Sequence, residues 1–333
     1  LWRPPASRGV EPGRPAASAR RPDREGGRHR GLSSQAAEQR TGLAIDFWRF
    51  AGPRGFAGMF QIVVFWLDIL LVGAMVSRYA AGVYGAVSKL AVVGGFALEG
   101  SRLAIGPQLS GLLARKEYAR AADLYQSATR WLMAVSCPVY VLFAIFPVVV
   151  LGIFGHRYTA GAASLVVLSL AMLVSLGTGN QTIVLLMGGK SSWNLVNALA
   201  ALAVNVGLNL ALLPRIGILG AAIAWAASIV VDNVAAIIEI WVLFHLSPFG
   251  PGYGLVVAAT IGCFGITGLA ARALLGETLP ALVVAVALGG AVYGVVAYRA
   301  RARLQLTELF AALRQRSPAA GTGEHGPQPS YRG

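Results

Sequence analysis

The sequence is poor in charged side chains, which make up 13% of its 333 residues. A soluble domain carries about 25% charged residues, so this chain lacks the polar groups that a water-facing surface needs. Asp, Glu, Lys and Arg are all absent from the ranges 131–155, 158–189, 191–214 and 240–271. About 20 apolar residues in a helix cross the hydrocarbon core of a bilayer, and each range is that long. The composition argues against a soluble enzyme and predicts an all-α integral membrane protein.

Cysteine and histidine are scarce as well, with two Cys and four His in the chain. Cys137 and Cys263 each lie within an apolar range, where a thiol behaves as a small hydrophobic group. The His residues are too far apart in sequence to suggest metal ligands. Gly-x-Ser-x-Gly, His-Glu-x-x-His and Walker-type motifs are missing too. We therefore expect no disulfide framework, no metal, no cofactor and no catalytic residue.

The net charge of +14 is concentrated in the two tails. Residues 1–41 hold nine Arg and four acids, and residues 299–333 hold six Arg and two acids, so the tails supply +9. They lack interleaved aromatic residues and a folded basic face, which argues against nucleic acid as a partner. Membrane lipid is the expected partner instead. Residues 1–41 are rich in Pro, Gly, Ser, Ala and Arg, which predicts disorder, and the start at Leu1 suggests a fragment or an unusual start.

The hydrophobicity pattern predicts about eight transmembrane helices, at 56–77, 83–113, 131–153, 161–187, 193–213, 218–244, 254–275 and 279–298. Basic residues near the helix ends are unequally distributed between the two sides. One side has ten: Arg49, Arg54, Arg115, Lys116, Arg120, Arg130, Lys190, Arg299, Arg301 and Arg303. The other side has Arg78, Arg157, Arg215 and Arg272. By the positive-inside rule, both termini are expected in the cytoplasm.

Two polar segments next to predicted spans have helical periodicity. Apolar residues recur at 118, 121, 122 and 125, and again at 306, 309, 310 and 313. Each segment carries Arg on its other face, so we expect amphipathic helices that lie in the membrane interface. For the second segment, an ordinary solvated helix is the alternative.

Ionisable residues inside predicted spans are costly in a membrane and are candidate functional residues. They are Asp68, Lys89, Glu99, Arg102, Asp232 and Glu239. At a rise of about 1.5 Å per residue, Asp68 and Lys89 come to similar depths in neighbouring antiparallel helices and could form an ion pair. Glu99 and Arg102 are three residues apart and share a helix face.

Two interpretations of these charges remain open. In the first, Asp68, Lys89, Glu99 and Arg102 line a hydrated cavity for a charged or sugar-bearing headgroup. In the second, they are structural pairs that fix the helix register. Asp232 has no partner close in sequence and could act in the cavity, or it could join Asn233 in a polar contact between helices. Glu239 lies close enough to the inner membrane surface to reach water.

Several short motifs follow one another from Asp46 onward. They are Asp-Phe-Trp-Arg-Phe-Ala-Gly-Pro-Arg-Gly at 46–55, Trp-Leu-Asp-Ile-Leu-Leu-Val-Gly at 66–73, Ala-Gly-Val-Tyr-Gly-Ala at 81–86, Gly-Pro-Gln-Leu-Ser-Gly-Leu at 106–112 and Phe-Gly-His-Arg-Tyr at 154–158. Residues 205–224 add Asn-x-x-Leu-Asn, Leu-Pro and Gly-x-x-Gly-Ala-Ala-Ile-Ala. In this order, the series resembles polysaccharide biosynthesis proteins of the multidrug/oligosaccharidyl-lipid/polysaccharide flippase superfamily.

The resemblance implies a fold of two six-helix lobes around a cavity, with transport by alternating access. Residues 42–244 would form the second, C-terminal lobe, and 245–299 would add two further transmembrane helices. An amphipathic helix and a basic tail would follow at 300–333. The first lobe is missing from this chain. We therefore expect the chain to pair with a separate lobe, to form a homodimer or to be inactive.

The resemblance also implies a function and a location. Lipid-linked oligosaccharide for cell-surface polysaccharide would be the substrate, in a bacterial cell membrane. Lys89 and Arg102 lie on a helix where members of the family carry basic residues that meet pyrophosphate. The alternative is a cation-coupled drug or metabolite antiporter of the same superfamily, in which Asp68 and Asp232 would bind the coupling cation.

Overall fold

The computed structural model describes residues 55–56, 58–60, 62–63 and 66–299. Within these residues the chain forms helices and turns, with no β-strand. Seven helices are long and apolar enough to cross a membrane, and a shorter apolar helix precedes them. The chain is therefore an all-α membrane protein with several spans, as its composition predicts. The predicted disordered segment 1–41 and the predicted amphipathic helix and tail at 300–333 lie outside the described residues.

Eleven α-helices follow one another between residues 66 and 299, and some spans consist of two of them. In chain order they are α1, Trp66–Met75; α2, Arg78–Ala91; α3, Gly95–Ala114; α4, Tyr118–Ile145; α5, Pro147–Gly152; α6, Ala162–Thr178; α7, Gln181–Met187; α8, Ser191–Ile216; α9, Ile218–Phe244; α10, Tyr253–Leu275; and α11, Leu279–Arg299. A 3₁₀ helix, His156–Gly161, leads into α6. A π-helical segment, Ile261–Ile266, lies in the middle of α10.

The second predicted span, 83–113, is longer than predicted and is interrupted. It begins at Arg78, where the side chain of Ser77 caps α2 by accepting a hydrogen bond of 3.0 Å from the amide of Ala80. α2 ends at Ala91 and α3 starts at Gly95. The Tyr140 hydroxyl donates to the Ala91 carbonyl at 2.5 Å and accepts from the Gly94 amide at 2.9 Å. One side chain thus supplies partners for two backbone groups at the interruption.

The segment around Tyr118 differs from its predicted position in the interface. It is helical, but it forms the first turns of α4, which continues without a break to Ile145. Ala121 and Tyr125 are fully buried in a hydrophobic cluster with residues of α3, α7 and α9. The apolar face therefore packs against other helices. Periodicity alone does not show whether such a face contacts protein or lipid.

The turn between α3 and α4 carries a small network of surface charges. Glu117 accepts hydrogen bonds from Arg115 at 2.6 Å and from Arg120 at 2.8 Å. These hydrogen bonds, that from Arg115 first, hold the pKa of Glu117 below its ordinary value of 4.5. The two arginines are mostly exposed, as expected for basic residues at a membrane boundary.

The last two helices pack against the rest of the bundle through α4 and through a connection at one end. Arg272 donates hydrogen bonds to the Ile145 carbonyl and to Glu277, the latter at 2.7 Å. Glu277 in turn accepts a hydrogen bond of 2.9 Å from the amide of Val148 in the first turn of α5. The end of α10 and the turn that follows it therefore supply partners for two backbone groups at the interruption between α4 and α5.

Candidate functional site

A half-open polar cavity of about 190 Å³ lies among α3, α6, α7, α8 and α9. We call it the groove. Its lining combines ionisable groups, amides, hydroxyls and one indole: Leu98, Arg102, Ser175, Gln181, Thr182, Ala198, Ala201, Trp225, Ser228, Ile229, Asp232 and Asn233. The contributing helices are apolar enough to span a membrane. Ionisable groups within membrane-spanning helices are rare and mark substrate or ion pathways.

Arg102 forms one wall of the groove and is held by two partners. Its Nη1 is 2.6 Å from Glu99 Oε1, and its Nε donates to Asn180 Oδ1 at 3.3 Å. Asn180 also donates to the Ser101 hydroxyl at 2.8 Å. The predicted Glu99–Arg102 pair is therefore present. The Glu99 side chain is 61% exposed on the outer surface of the helix bundle, whereas that of Arg102 is 26% exposed.

The helix predicted over 161–187 breaks beside the groove, between Thr178 and Gln181. Gly179 has φ +71°, a left-handed conformation that favours glycine. A Cβ at this position would lie 2.1 Å from the Thr129 hydroxyl oxygen. The break therefore requires glycine for two reasons, and it turns Asn180 and Gln181 towards α3 and α9.

Asn233 holds the other wall of the groove and has a fixed orientation. Its Nδ2 donates to the Ile229 carbonyl at 2.6 Å, so its Oδ1 must be the acceptor towards the broken helix. Gln181 Nε2 donates to that oxygen at 2.5 Å, as does the Thr178 hydroxyl. The contact between helices that the sequence allowed for Asp232 and Asn233 thus belongs to Asn233 alone.

Asp232 is half-buried and lines the groove. It interacts electrostatically with Arg102, which lines the same cavity. No hydrogen bond or ion pair to its carboxylate occurs among residues 66–299 or the helical pieces before them. Of the predicted site residues, the structure therefore brings together Glu99, Arg102 and Asp232.

Asp68 lies apart from the groove, in a polar cluster inside the bundle. It is 1% exposed and accepts hydrogen bonds from Asn209 Nδ2 at 2.8 Å and from the Tyr84 hydroxyl at 3.1 Å. Asn209 Nδ2 is also 3.2 Å from Asn205 Oδ1. Asn209 Oδ1 is buried without a hydrogen-bond partner in the described part of the chain. The cluster joins α1, α2 and α8, because the Asp68 carboxylate of α1 accepts from a hydroxyl of α2 and an amide of α8.

The predicted ion pair between Asp68 and Lys89 is wrong. Lys89 is exposed, and none of the ion pairs among the described residues includes it. The rotation of each helix decides the partners of the two residues. α2 turns Tyr84 and Ser88 into the core and leaves Lys89 on the outer surface. Lys89 is therefore not part of the groove or of the Asp68 cluster.

Glu239 lies two helical turns from Asp232 on α9. Its Oε2 accepts a hydrogen bond of 2.7 Å from Asn197 Nδ2 on α8. Asn197 is buried and Glu239 is partly exposed. Glu239 is thus held against α8, outside the groove lining.

Sequence reasoning missed the amides that complete both polar sites. Asn180 and Gln181 follow Gly179 directly, and a Gly-Asn-Gln run inside an apolar range signals a helix break with polar groups. Asn205 and Asn209 were noted only as part of a motif. Their spacing of four places them on one helix face, which could have indicated a partner for Asp68.

Comparison of the chain with protein-family models, curated proteins and solved structures finds no match. The flippase resemblance therefore rests on the sequence motifs alone. Function has to be argued from the groove and the Asp68 cluster.

Proposed function

We propose that this chain is a membrane transporter that moves a lipid-linked saccharide across the bilayer, with the polar headgroup bound in the groove. The observation that carries the proposal is a half-open, polar cavity among membrane-spanning helices. A closed site would suit a small soluble solute. A cavity open on one side suits a substrate whose headgroup is bound by protein while its chain stays in lipid.

The lining fits a hydroxyl-rich headgroup. Side chains of Arg102, Asp232 and Gln181, two serines and a threonine offer both donors and acceptors around one indole ring. The volume of about 190 Å³ is smaller than the roughly 300–1,000 Å³ of sites that enclose a drug-sized ligand. The groove therefore holds one sugar-sized group at a time, and the rest of an oligosaccharide lies outside it.

The surface next to the groove fits a lipid chain. The side of α3 that faces away from the bundle presents Phe96 at 78% and Leu103 at 80% exposure, each about one helical turn from Glu99. Val196 and Leu199 of α8 are exposed as well. An acyl or prenyl chain can follow such apolar side chains while the headgroup stays with Arg102.

Movement of lipid-linked sugar in liposomes tests this function. The full chain is reconstituted with polyprenyl-diphosphate glucosamine, with its amine either free or N-acetylated, as the probe, and an impermeant enzyme that modifies the sugar reports the outward-facing fraction over time. We expect the wild-type chain to move the probe in at least one of these forms and Arg102→Gln to slow that movement at least tenfold. Arg215→Gln is the matched control, since Arg215 is exposed at the end of α8, and its rate should stay within twofold. Equal rates for Arg102→Gln and wild type would contradict the proposal, as would a wild-type rate no faster than protein-free liposomes.

The Asp68 cluster favours a second candidate function, cation-coupled antiport of a drug or metabolite. A buried carboxylate next to amide oxygens can take up a proton or a small cation, since such cations prefer oxygen ligands. The buried Asn209 Oδ1 lacks a partner among the described residues and could bind such a cation. Ethidium efflux from liposomes under an imposed proton or sodium gradient tests this candidate. Efflux that depends on the gradient and is lost in Asp68→Asn would favour antiport over the movement of lipid-linked sugar.

A further inference from the structure

The hydrogen bonds around Asn233 leave an acceptor unused in the groove. The Ile229 carbonyl fixes the amide of Asn233, and Asn233 Oδ1 then fixes Gln181 with its Nε2 as donor. The Oε1 of Gln181 is therefore the atom of this amide that does not contact Asn233. This oxygen is buried and has no hydrogen-bond partner in the described part of the chain. Gln181 as a whole is buried as well, at 5% exposure. An unpaired buried acceptor is costly, so a ligand with a donor group would complete it.

The formal charges in and beside the groove do not cancel. Arg102 is neutralised by Glu99 at 2.6 Å, and another of its donors is engaged by Asn180. Asp232 adds a second carboxylate, for which the described residues provide no hydrogen bond or ion pair. One basic and two acidic side chains leave a net charge of −1. A carboxylate in a low-dielectric site is stable only when it is paired.

Asp232 thus presents a carboxylate to the cavity, whose wall it lines together with Gln181 and Trp225. An aromatic ring in such a cavity attracts a cation that lies over its face. A phosphate would instead meet net negative charge here. The polar half of the groove therefore selects a group with several N–H donors and a positive charge.

We propose that the headgroup bound in the groove carries a free, protonated amino group, as an amino sugar does, and that Asp232 and Gln181 bind this group. This inference rests on the proposed function, because it names the chemistry of the saccharide that the groove takes. It reverses the expectation from sequence that basic residues here meet a pyrophosphate.

Two sugars that differ at one substituent provide the test. The full chain in lipid nanodiscs is titrated with glucosamine, which carries an ammonium group, and with N-acetylglucosamine, in which an amide replaces it. Saturation-transfer NMR or calorimetry gives both dissociation constants. We expect wild type to bind glucosamine at least fivefold more tightly. Asp232→Asn should reduce this ratio to about one, and Asp232→Glu should largely retain it.

The matched control is Asp123→Asn, which removes an exposed carboxylate of α4 outside the groove and should leave the fivefold preference intact. Gel filtration and circular dichroism establish that each variant is folded. Equal affinity of wild type for the two sugars, or tighter binding of N-acetylglucosamine, would overturn the inference and leave the proposed function standing. A preference that persists in Asp232→Asn would also overturn it. Binding of neither sugar would count against both proposals.

Discussion

The hydroxyl of Tyr125 donates a hydrogen bond of 2.6 Å to the carbonyl of Thr178, the last residue of α6. The hydroxyl of Tyr253 likewise donates a hydrogen bond of 2.9 Å to the carbonyl of Gly177. A helix that ends inside a membrane leaves its last carbonyls without backbone partners, at a cost of several kcal/mol each in hydrocarbon. Side chains from α4 and α10 therefore stabilise the break that positions Asn180 and Gln181.

Removal of the Tyr125 hydroxyl should destabilise the protein. Tyr125→Phe leaves the Thr178 carbonyl buried without this donor, and we expect a loss of about 1–3 kcal/mol, measured by chemical unfolding in detergent. Tyr118→Phe is the control, because Tyr118 lies on the same helix, is 40% exposed and makes no hydroxyl hydrogen bond within the described residues. Equal stability of the two variants would mean that the Tyr125 hydrogen bond contributes nothing.

Gly179 and Gly189 form a matched pair for testing the break. Both have positive φ, +71° and +73°, so alanine strains the backbone by about 1–3 kcal/mol at either position. Only at Gly179 would the added Cβ also collide with Thr129, whereas at Gly189 nothing lies within 4 Å. We expect Gly179→Ala to be destabilised well beyond Gly189→Ala in unfolding experiments. Similar stabilities would show that the contact with Thr129 relaxes freely.

The partners of Asp68 can be checked by two substitutions on different helices. Asn209→Ala removes the 2.8 Å donor to a buried carboxylate and should cost about 1–3 kcal/mol or more. Lys89→Ala removes an exposed side chain and should change stability by less than about 0.5 kcal/mol. Thermal or chemical unfolding in detergent measures both. A larger loss of stability in Lys89→Ala than in Asn209→Ala would instead support the ion pair between Asp68 and Lys89 that the sequence predicts.

Acid should weaken the network at Glu117. Hydrogen bonds from Arg115 and Arg120 lower the pKa of this carboxyl in the folded protein, so its contribution is present above the ordinary pKa of 4.5. It is lost as the pH falls through the lowered value. The melting temperature of wild type should therefore exceed that of Glu117→Gln at neutral pH, and the difference should vanish in acid. A difference that does not change with pH would exclude this titration as its cause.

Close packing of α8 on α9 gives opposite expectations for two glycines. A Cβ at Gly220 would lie 2.7 Å from the backbone carbon of Leu212, whereas Gly207 has open space around it. Gly220→Ala should therefore destabilise the helix pair. Gly207→Ala should be neutral or stabilising by up to about 1 kcal/mol, because alanine is the better helix former. Both are measured by unfolding, and a stabilised Gly220→Ala would contradict the close contact.

Much of the fold could be predicted from the sequence because hydrocarbon allows few solutions. Apolar ranges of sufficient length must be helical, and the predicted helices from 193–213 onward match observed ones within a few residues. The interruptions could not be placed in this way. Those at Gly94 and Gly179 depend on Tyr140 and Tyr125, which lie far away in sequence and supply the missing backbone partners.

The site could be predicted only where its contacts are local. Glu99 and Arg102 pair because a spacing of three brings two side chains together on any helix. Asp68 and Lys89 do not pair, because equal depth says nothing about the rotation of each helix. Asp232 was recognised from its charge, but its neighbour Gln181 is an amide in an apolar range and acquires its orientation from a backbone carbonyl on α9.

The hydroxyl of Tyr140 marks a boundary between the two polar sites of the protein. It serves both the Ala91 carbonyl and the Gly94 amide, so a side chain of α4 supplies partners for two peptide groups at the junction of α2 and α3. Arg102 and Glu99 lie on α3, on one side of this junction. Tyr84 lies on α2, on the other side, where it contacts Asp68. A single broken span thus contributes one half to the groove and the other half to the Asp68 cluster.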